Sequence, residues 1–260
     1  MKDGEGVQAP PIEEETKMDI CRGCGEREAS AKSHIIPRSF FRHMDDGVSP
    51  LVEITTKKDS FPKRRRVGYY DITILCKECE KQFGKVDDLG QHILIKRRSE
   101  MRTIKDGMRT VAYRLNAVDG DAFKRFLVSV LWRASVSTLP QFSKVRLGPH
   151  EARAKEISWG SSFRSPDEFF FAGSRYLESD LSDLLLNPHG LRNSGVNFVC
   201  LYLPGYKFWI KVDRRPSPSK LSRINIARTG DLVLLAHEMR GSKEYDLIAG
   251  MVQATAAVRW

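Results

Sequence analysis

The chain has 260 residues, of which 41% are hydrophobic and 29% are charged. These proportions are those of a globular protein with a buried core, and they do not fit a disordered or fibrous chain. The 43 Lys and Arg residues outnumber 33 Asp and Glu, and the formal charge of +10 favours a polyanionic partner such as nucleic acid, although a soluble basic enzyme fits the same balance.

The amino-terminal part is predicted to hold a flexible tail and then a small finger. Residues 1–18 combine glycines, prolines and an acidic run, which is typical of a flexible tail. Residues 19–100 contain two Cys-x-x-Cys pairs separated by a long basic insertion. The predicted strands and helices of this finger are Ser33–Pro37, Tyr70–Leu75, Glu80–Asp88 and Gln91–Arg98.

Residues 101–190 are predicted to be helical. Apolar residues recur at helical spacing after Asp121, which can cap that helix. A short helix is expected from Glu151, after a Gly-Pro break. The motif Ser165–Glu168 has the pattern of a capping box and predicts a further helix toward Gly173.

Residues 191–260 are predicted to form a domain that contains β-strands. Val196–Leu203 and Lys207–Val212 read as strands joined by a Pro-Gly turn, and Asp231–Ala236 reads as another. The last segment, Tyr245–Val258, is expected to be helical. The predicted fold class is therefore α+β, with an amino-terminal finger, a helical middle and a β-containing carboxyl-terminal domain.

The paired cysteines predict a structural zinc site. Neither a signal-peptide pattern nor a bilayer-spanning apolar run is present, so we expect a cytoplasmic protein with reduced cysteines and no membrane partner. Four thiolates in two Cys-x-x-Cys knuckles supply the tetrahedral ligand set that zinc prefers, although a redox pair has the same spacing. The predicted ligands are Cys21, Cys24, Cys76 and Cys79, whereas Cys200 is expected to be a buried core thiol.

The same segment resembles a known nuclease family. A Cys-x-x-Cys knuckle precedes the strand Ser33-His34-Ile35-Ile36-Pro37, and Asp71 precedes a second knuckle that Glu80 follows directly. This order is similar to that of the zinc-bracketed HNH, or His-Me finger, nucleases over about residues 19–90. The resemblance implies a ββα finger that is built on the zinc ion and wraps around one catalytic metal ion.

The resemblance also implies roles for three residues. His34 matches the general base that activates water, Asp71 matches the asparagine that orients this histidine, and Glu80 matches the ligand of the catalytic metal ion. A carboxylate in place of histidine or asparagine favours Mg²⁺ or Mn²⁺. Ser33 stands where many family members have a second metal ligand, and this departure favours a finger without catalysis.

Two further features bear on the site. The basic run Lys63-Arg64-Arg65-Arg66 lies between the zinc knuckles, where it can follow a phosphate backbone or form a solvated loop. Asp87 would lie about 10 Å along the helix from Glu80. That distance is too long for one shared ion, so we expect Asp87 to be solvated or paired with a cation.

These observations lead to two hypotheses of different classes. The first is a metal-dependent nuclease that hydrolyses phosphodiester bonds, with DNA favoured over RNA. The alternative is a non-catalytic, zinc-stabilised module that binds nucleic acid. The retained His34, Asp71 and Glu80 favour the enzyme, and Ser33 favours the module.

Overall fold

A computed structural model describes residues 19–44, 51–53, 63–65, 68–181, 184–226 and 230–256. The predicted tail over residues 1–18 lies outside the described residues. The strands are β1 Ser33–His34, β2 Leu51–Glu53, β3 Lys63–Arg65, β4 Tyr70–Asp71, β5 Arg102–Asp106, β6 Arg109–Leu115, β7 Phe171–Tyr176, β8 His189–Asn193, β9 Val196–Leu203, β10 Tyr206–Lys211 and β11 Leu232–His237. The α-helices are α1 Arg38–Met44, α2 Lys77–Gln91, α3 Gly120–Val136, α4 Glu151–Ser158 and α5 Lys243–Ala256.

The amino-terminal part is built from two short strands and one long helix. Strand β1 pairs with β4 in an antiparallel ladder. Helix α2 begins directly after Cys76 and ends at Gln91. A π-helical turn over His92–Lys96 follows it without a break. The predicted break between two helices near Asp88 is therefore wrong, since the chain remains helical from Lys77 to Lys96.

The larger part of the fold is a seven-stranded mixed sheet. Its strand order is β5-β6-β11-β7-β10-β9-β8, with antiparallel pairing everywhere except between the parallel strands β11 and β7. Strand β9 is apolar at almost every position, as expected for a strand that is covered on both faces. The predicted strands over Val196–Leu203, Lys207–Val212 and Asp231–Ala236 correspond to β9, β10 and β11.

Helix α3 connects the finger to the sheet. The Phe126 ring stacks on Phe40 of the finger with 5.9 Å between centroids, and the Phe123 ring meets Phe208 of the sheet at 6.0 Å. One continuous cluster of buried side chains extends from Cys21 through this helix to the sheet. The finger and the sheet therefore share one core. Burial of each such aromatic side chain stabilises the fold by about 1.5–3 kcal/mol.

The structure corrects the predicted helical middle. Residues 101–190 contain α3 and α4, but also β5, β6 and β7, and the first two residues of β8. These strands join the same sheet as β9, β10 and β11, so the predicted boundary at residue 190 crosses one sheet. The prediction missed the β5–β6 hairpin, whose two turn residues are Gly107 and Met108; Gly107 has a positive φ of 59°.

Two predicted caps are also corrected. The side chain that caps α3 belongs to Asp119, which accepts a hydrogen bond from the Ala122 amide at 3.0 Å. The capping-box motif Ser165–Glu168 does not open a helix, because Phe169 adopts a positive φ of 47° and β7 follows. Its Glu168 carboxylate instead accepts hydrogen bonds from Arg153, at 2.8 Å, and from the Arg164 amide.

Candidate functional site: a four-cysteine metal centre beside His34 and Glu80

The two cysteine knuckles meet at the start of α2. The sulfur atoms of the four paired cysteines all lie within 4.8 Å of one another. This spacing fits four thiolates around one tetrahedral zinc ion, whose Zn–S bonds are about 2.3 Å long. The four residues are Cys21, Cys24, Cys76 and Cys79. The structure thus brings together the complete predicted ligand set.

Backbone hydrogen bonds hold the first knuckle against the second. The Cys76 amide donates to the Cys21 sulfur at 3.1 Å, and the Arg22 amide donates to the Ile74 carbonyl at 2.8 Å. Gly23 packs so closely that a Cβ atom there would lie 2.7 Å from the Trp159 ring and 2.8 Å from the Cys79 sulfur. The first knuckle therefore requires glycine at this position.

The thiol electrostatics suit a metal site. Hydrogen bonds from the backbone amides of Arg27 and Glu26 lower the pKa of Cys24 to about 6. Burial raises the pKa of Cys79, so this thiol would be neutral without a cation. A zinc ion would offset that penalty, because it binds thiolates and displaces their protons. The Arg27 guanidinium lies 3.7 Å from the Cys76 sulfur and adds positive charge to the knuckle.

Glu80 meets strand β1 at the residue that carries the predicted base. It lies in the first turn of α2, and its carboxylate accepts hydrogen bonds from the Ser33 hydroxyl and from the His34 backbone amide. Burial raises the pKa of Glu80, while these hydrogen bonds and the charge of Arg133 oppose the rise. Ser33, which we had noted only as a departure from the family pattern, thus fixes the position of the Glu80 carboxylate.

The His34 side chain is half-buried beside the second strand. Its ring centroid lies 5.8 Å from that of Tyr70, the residue directly across the β1–β4 ladder. The Lys32 ammonium nitrogen lies 5.7 Å from the same tyrosine ring. The predicted base therefore lies beside an aromatic ring, and its backbone contacts Glu80.

Residues other than His34 bind the Asp71 carboxylate in the structure. The ladder places Asp71 directly across from Ser33. One Asp71 oxygen accepts from the Thr73 amide at 2.9 Å, and the other accepts from the Ser137 hydroxyl and the Thr138 amide, each at 2.8 Å. Burial alone would raise the pKa of Asp71, but these hydrogen bonds hold it below the usual range. Asp71 thus anchors the end of α3 to the finger.

A buried arginine supports the strand that carries His34. Arg133 of α3 is fully buried and forms a double hydrogen bond with Asp87, at 2.6 and 2.9 Å. It also donates to the His34 carbonyl at 2.7 Å. Asp87 is thereby a paired acid, as expected, rather than a metal ligand. No local sequence signal points to Arg133, because its partners lie far away in the chain.

The basic run is described only in part. Lys63, Arg64 and Arg65 form strand β3, which pairs with β2 in an antiparallel hairpin, and the Lys63 side chain is exposed. Arg66 lies outside the described residues. Lys63, Arg64 and Arg65 therefore form one strand of a small hairpin, where the Lys63 side chain is accessible to a polyanion.

A second metal ion would depend mainly on ligands from outside the protein. Among the described residues, the four cysteines are the one group of three or more Cys, His, Asp or Glu side chains close enough to hold an ion. Glu80 fits a Mg²⁺ or Mn²⁺ ion only as a single carboxylate, with water and substrate phosphate completing the shell.

Comparisons with known proteins return no relative. No family model, curated protein or solved structure matches the chain. Within the described residues, no helix has the length and apolar character needed to cross a membrane. The resemblance to HNH nucleases therefore rests on the motif residues of the sequence.

Proposed function

We propose that this protein is a metal-dependent nuclease that hydrolyses phosphodiester bonds in DNA rather than RNA. The observation that carries the proposal is the contact between the Glu80 carboxylate and the β1 strand at His34. It joins the backbone of a residue suited to general-base catalysis to a carboxylate suited to a hard cation. The formal charge of +10 supports a polyanionic substrate.

In the proposed reaction, His34 accepts the proton of the water that attacks the phosphorus atom. Glu80, held by the Ser33 hydroxyl, would be the protein ligand of Mg²⁺ or Mn²⁺. When bound, such an ion stabilises the negative charge that develops on the phosphate oxygens. Asp71 takes no part, and the β1 strand is positioned by Arg133 through the His34 carbonyl.

A specific observation favours the alternative function, a non-catalytic module that binds nucleic acid. The Glu80 carboxylate is already satisfied by Ser33 and the His34 amide, and burial disfavours its charged form. Both effects weaken its affinity for a free cation. In this alternative, the zinc site keeps the finger folded and the chain binds nucleic acid without cleaving it.

Replacement of the base separates these two functions. We expect His34→Ala to lower the rate of DNA cleavage by about 10²- to 10⁴-fold, because general-base catalysis contributes that much to such reactions. Cleavage of plasmid, single-stranded DNA and RNA is measured with Mg²⁺ or Mn²⁺, beside zinc content and DNA affinity. His92→Ala is the matched control, since His92 is exposed at the far end of the same helix.

Zinc content, fold and DNA affinity should remain unchanged in His34→Ala. If the wild-type protein binds DNA but cleaves none of the three substrates, the binding module replaces the nuclease. Equal cleavage by the wild type and His34→Ala would instead remove His34 from the reaction.

A further inference from the structure

The β5–β6 hairpin holds two arginines in an unfavourable arrangement. Arg102 and Arg114 lie directly across from each other in the antiparallel ladder, and both side chains are exposed. Like charges at such positions destabilise a sheet. In the part of the chain that the structure describes, neither guanidinium has an ion-pair partner. The pair thus lowers stability unless an anion lies between the two side chains.

A surface cavity opens beside these two arginines. Its volume is about 350 Å³, and its wall includes Arg97 and Glu100 as well as Arg102 and Arg114. Glu100 already forms an ion pair with Arg97 at 2.9 Å, and Arg97 also donates to the Asn116 carbonyl at 3.0 Å. This acidic residue is therefore engaged by a different arginine, and the cavity keeps an excess of positive charge.

We propose that this cavity binds a phosphate group of the nucleic-acid backbone. Guanidinium groups present forked donors that match phosphate oxygens, and two of them across a ladder can hold one phosphate between them. The rest of the hairpin agrees with this role, because Lys105 and Arg109 are also exposed there. The inference rests on the proposed function and adds a second contact with the same substrate.

The cavity is remote from the proposed catalytic residues. The helix that begins with α2 runs without a break from Lys77 to Lys96, so Glu80 and Arg97 lie near its opposite ends. At a rise of 1.5 Å per residue the separation is about 26 Å. A nucleic-acid strand that reaches both positions must extend over about eight nucleotides, at 3.4 Å each. The hairpin is thus a substrate-anchoring site rather than part of the catalytic centre.

The test compares Arg102→Gln/Arg114→Gln with the wild type in binding to a labelled DNA duplex without added Mg²⁺ or Mn²⁺. Loss of the contact with one phosphate should lower the affinity at low salt and reduce the slope of log affinity against log salt by about 1. Arg192→Gln is the control, because Arg192 is an exposed arginine on β8 at the opposite edge of the sheet. The thermal midpoint of the double variant should equal or exceed that of the wild type.

The outcomes separate this inference from the proposed function. In one outcome, the double variant binds and cleaves DNA as the wild type does, with the same salt slope as Arg192→Gln. That result would overturn the anchoring site and leave the proposed nuclease function intact. A wild-type protein that binds no nucleic acid would overturn both. A lower slope at unchanged thermal stability supports the site.

Discussion

Cys76→Ser should lower the zinc content to well below one ion per chain and unfold the amino-terminal finger. Zinc binding to four thiolates contributes on the order of 10 kcal/mol to the folding of small zinc domains. The Cys76 amide, which donates to the Cys21 sulfur, is kept in this variant, so the effect is that of the lost thiolate ligand. Elemental analysis measures the metal, and hydrogen exchange of residues 19–44 and 68–91 measures the unfolding.

Cys200→Ser provides the matched control for this prediction. Cys200 is a buried thiol of β9, outside the four-cysteine cluster. Its replacement should destabilise the sheet moderately but leave the zinc content at the wild-type value. Wild-type protein that contains no zinc and is fully folded, or a disulfide within either knuckle, would contradict the metal centre.

The second large effect is expected from Arg133→Met, which should destabilise the protein by about 3–5 kcal/mol. The substitution leaves the Asp87 carboxylate buried without its cation, and such uncompensated charges are among the costliest single changes. It also removes the hydrogen bond to the His34 carbonyl. Urea denaturation gives the free energy of unfolding.

A second substitution and the pH profile identify the cause. Adding Asp87→Leu should recover much of the stability lost in Arg133→Met, because replacing both partners removes the buried charge. Burial already raises the pKa of Asp87, so this group favours the folded state only when protonated. The defect of Arg133→Met should therefore be larger near neutral pH and shrink as the pH falls to the ordinary range of an aspartate. In the opposite outcome, Arg133→Met loses the same free energy of unfolding near neutral pH and in the ordinary range of an aspartate, with no recovery in the double variant. That result would exclude this ion pair as the cause.

Short-range sequence patterns predict the cysteine knuckles and the strands β9 and β10. Two Cys-x-x-Cys pairs specify a metal site by residue type, and the structure brings their sulfurs together as predicted. Strands β9 and β10 were predicted because β-rich runs flank a Pro-Gly turn. In both cases the determining residues are close in sequence.

The β5–β6 hairpin has a local signal in the sequence. Asp106-Gly107 stands between Thr- and Val-containing runs, and this pattern is typical of a tight hairpin turn. The predicted helical region over residues 101–190 includes these residues.

Other parts of the site depend on contacts that no local pattern encodes. Asp71 matches a family position by spacing, but the Ser137 and Thr138 groups that bind its carboxylate come from the end of α3. Arg133 reaches both Asp87 and the His34 carbonyl from the same helix. Only the folded chain shows that α3 supports the finger in this way.

The central claim is that Glu80 and His34 form one metal-dependent catalytic site, and replacement of Glu80 tests it most directly. The measurement is the rate at which excess protein nicks a supercoiled plasmid in Mn²⁺, for the wild type, Glu80→Gln and Glu78→Gln. Glu78 is the matched control, because it is an exposed acid in the same helical turn. We expect Glu80→Gln to remove nicking at unchanged zinc content and Glu78→Gln to nick at the wild-type rate. Nicking by Glu80→Gln at the wild-type rate, with the same dependence on Mn²⁺, would contradict the claim.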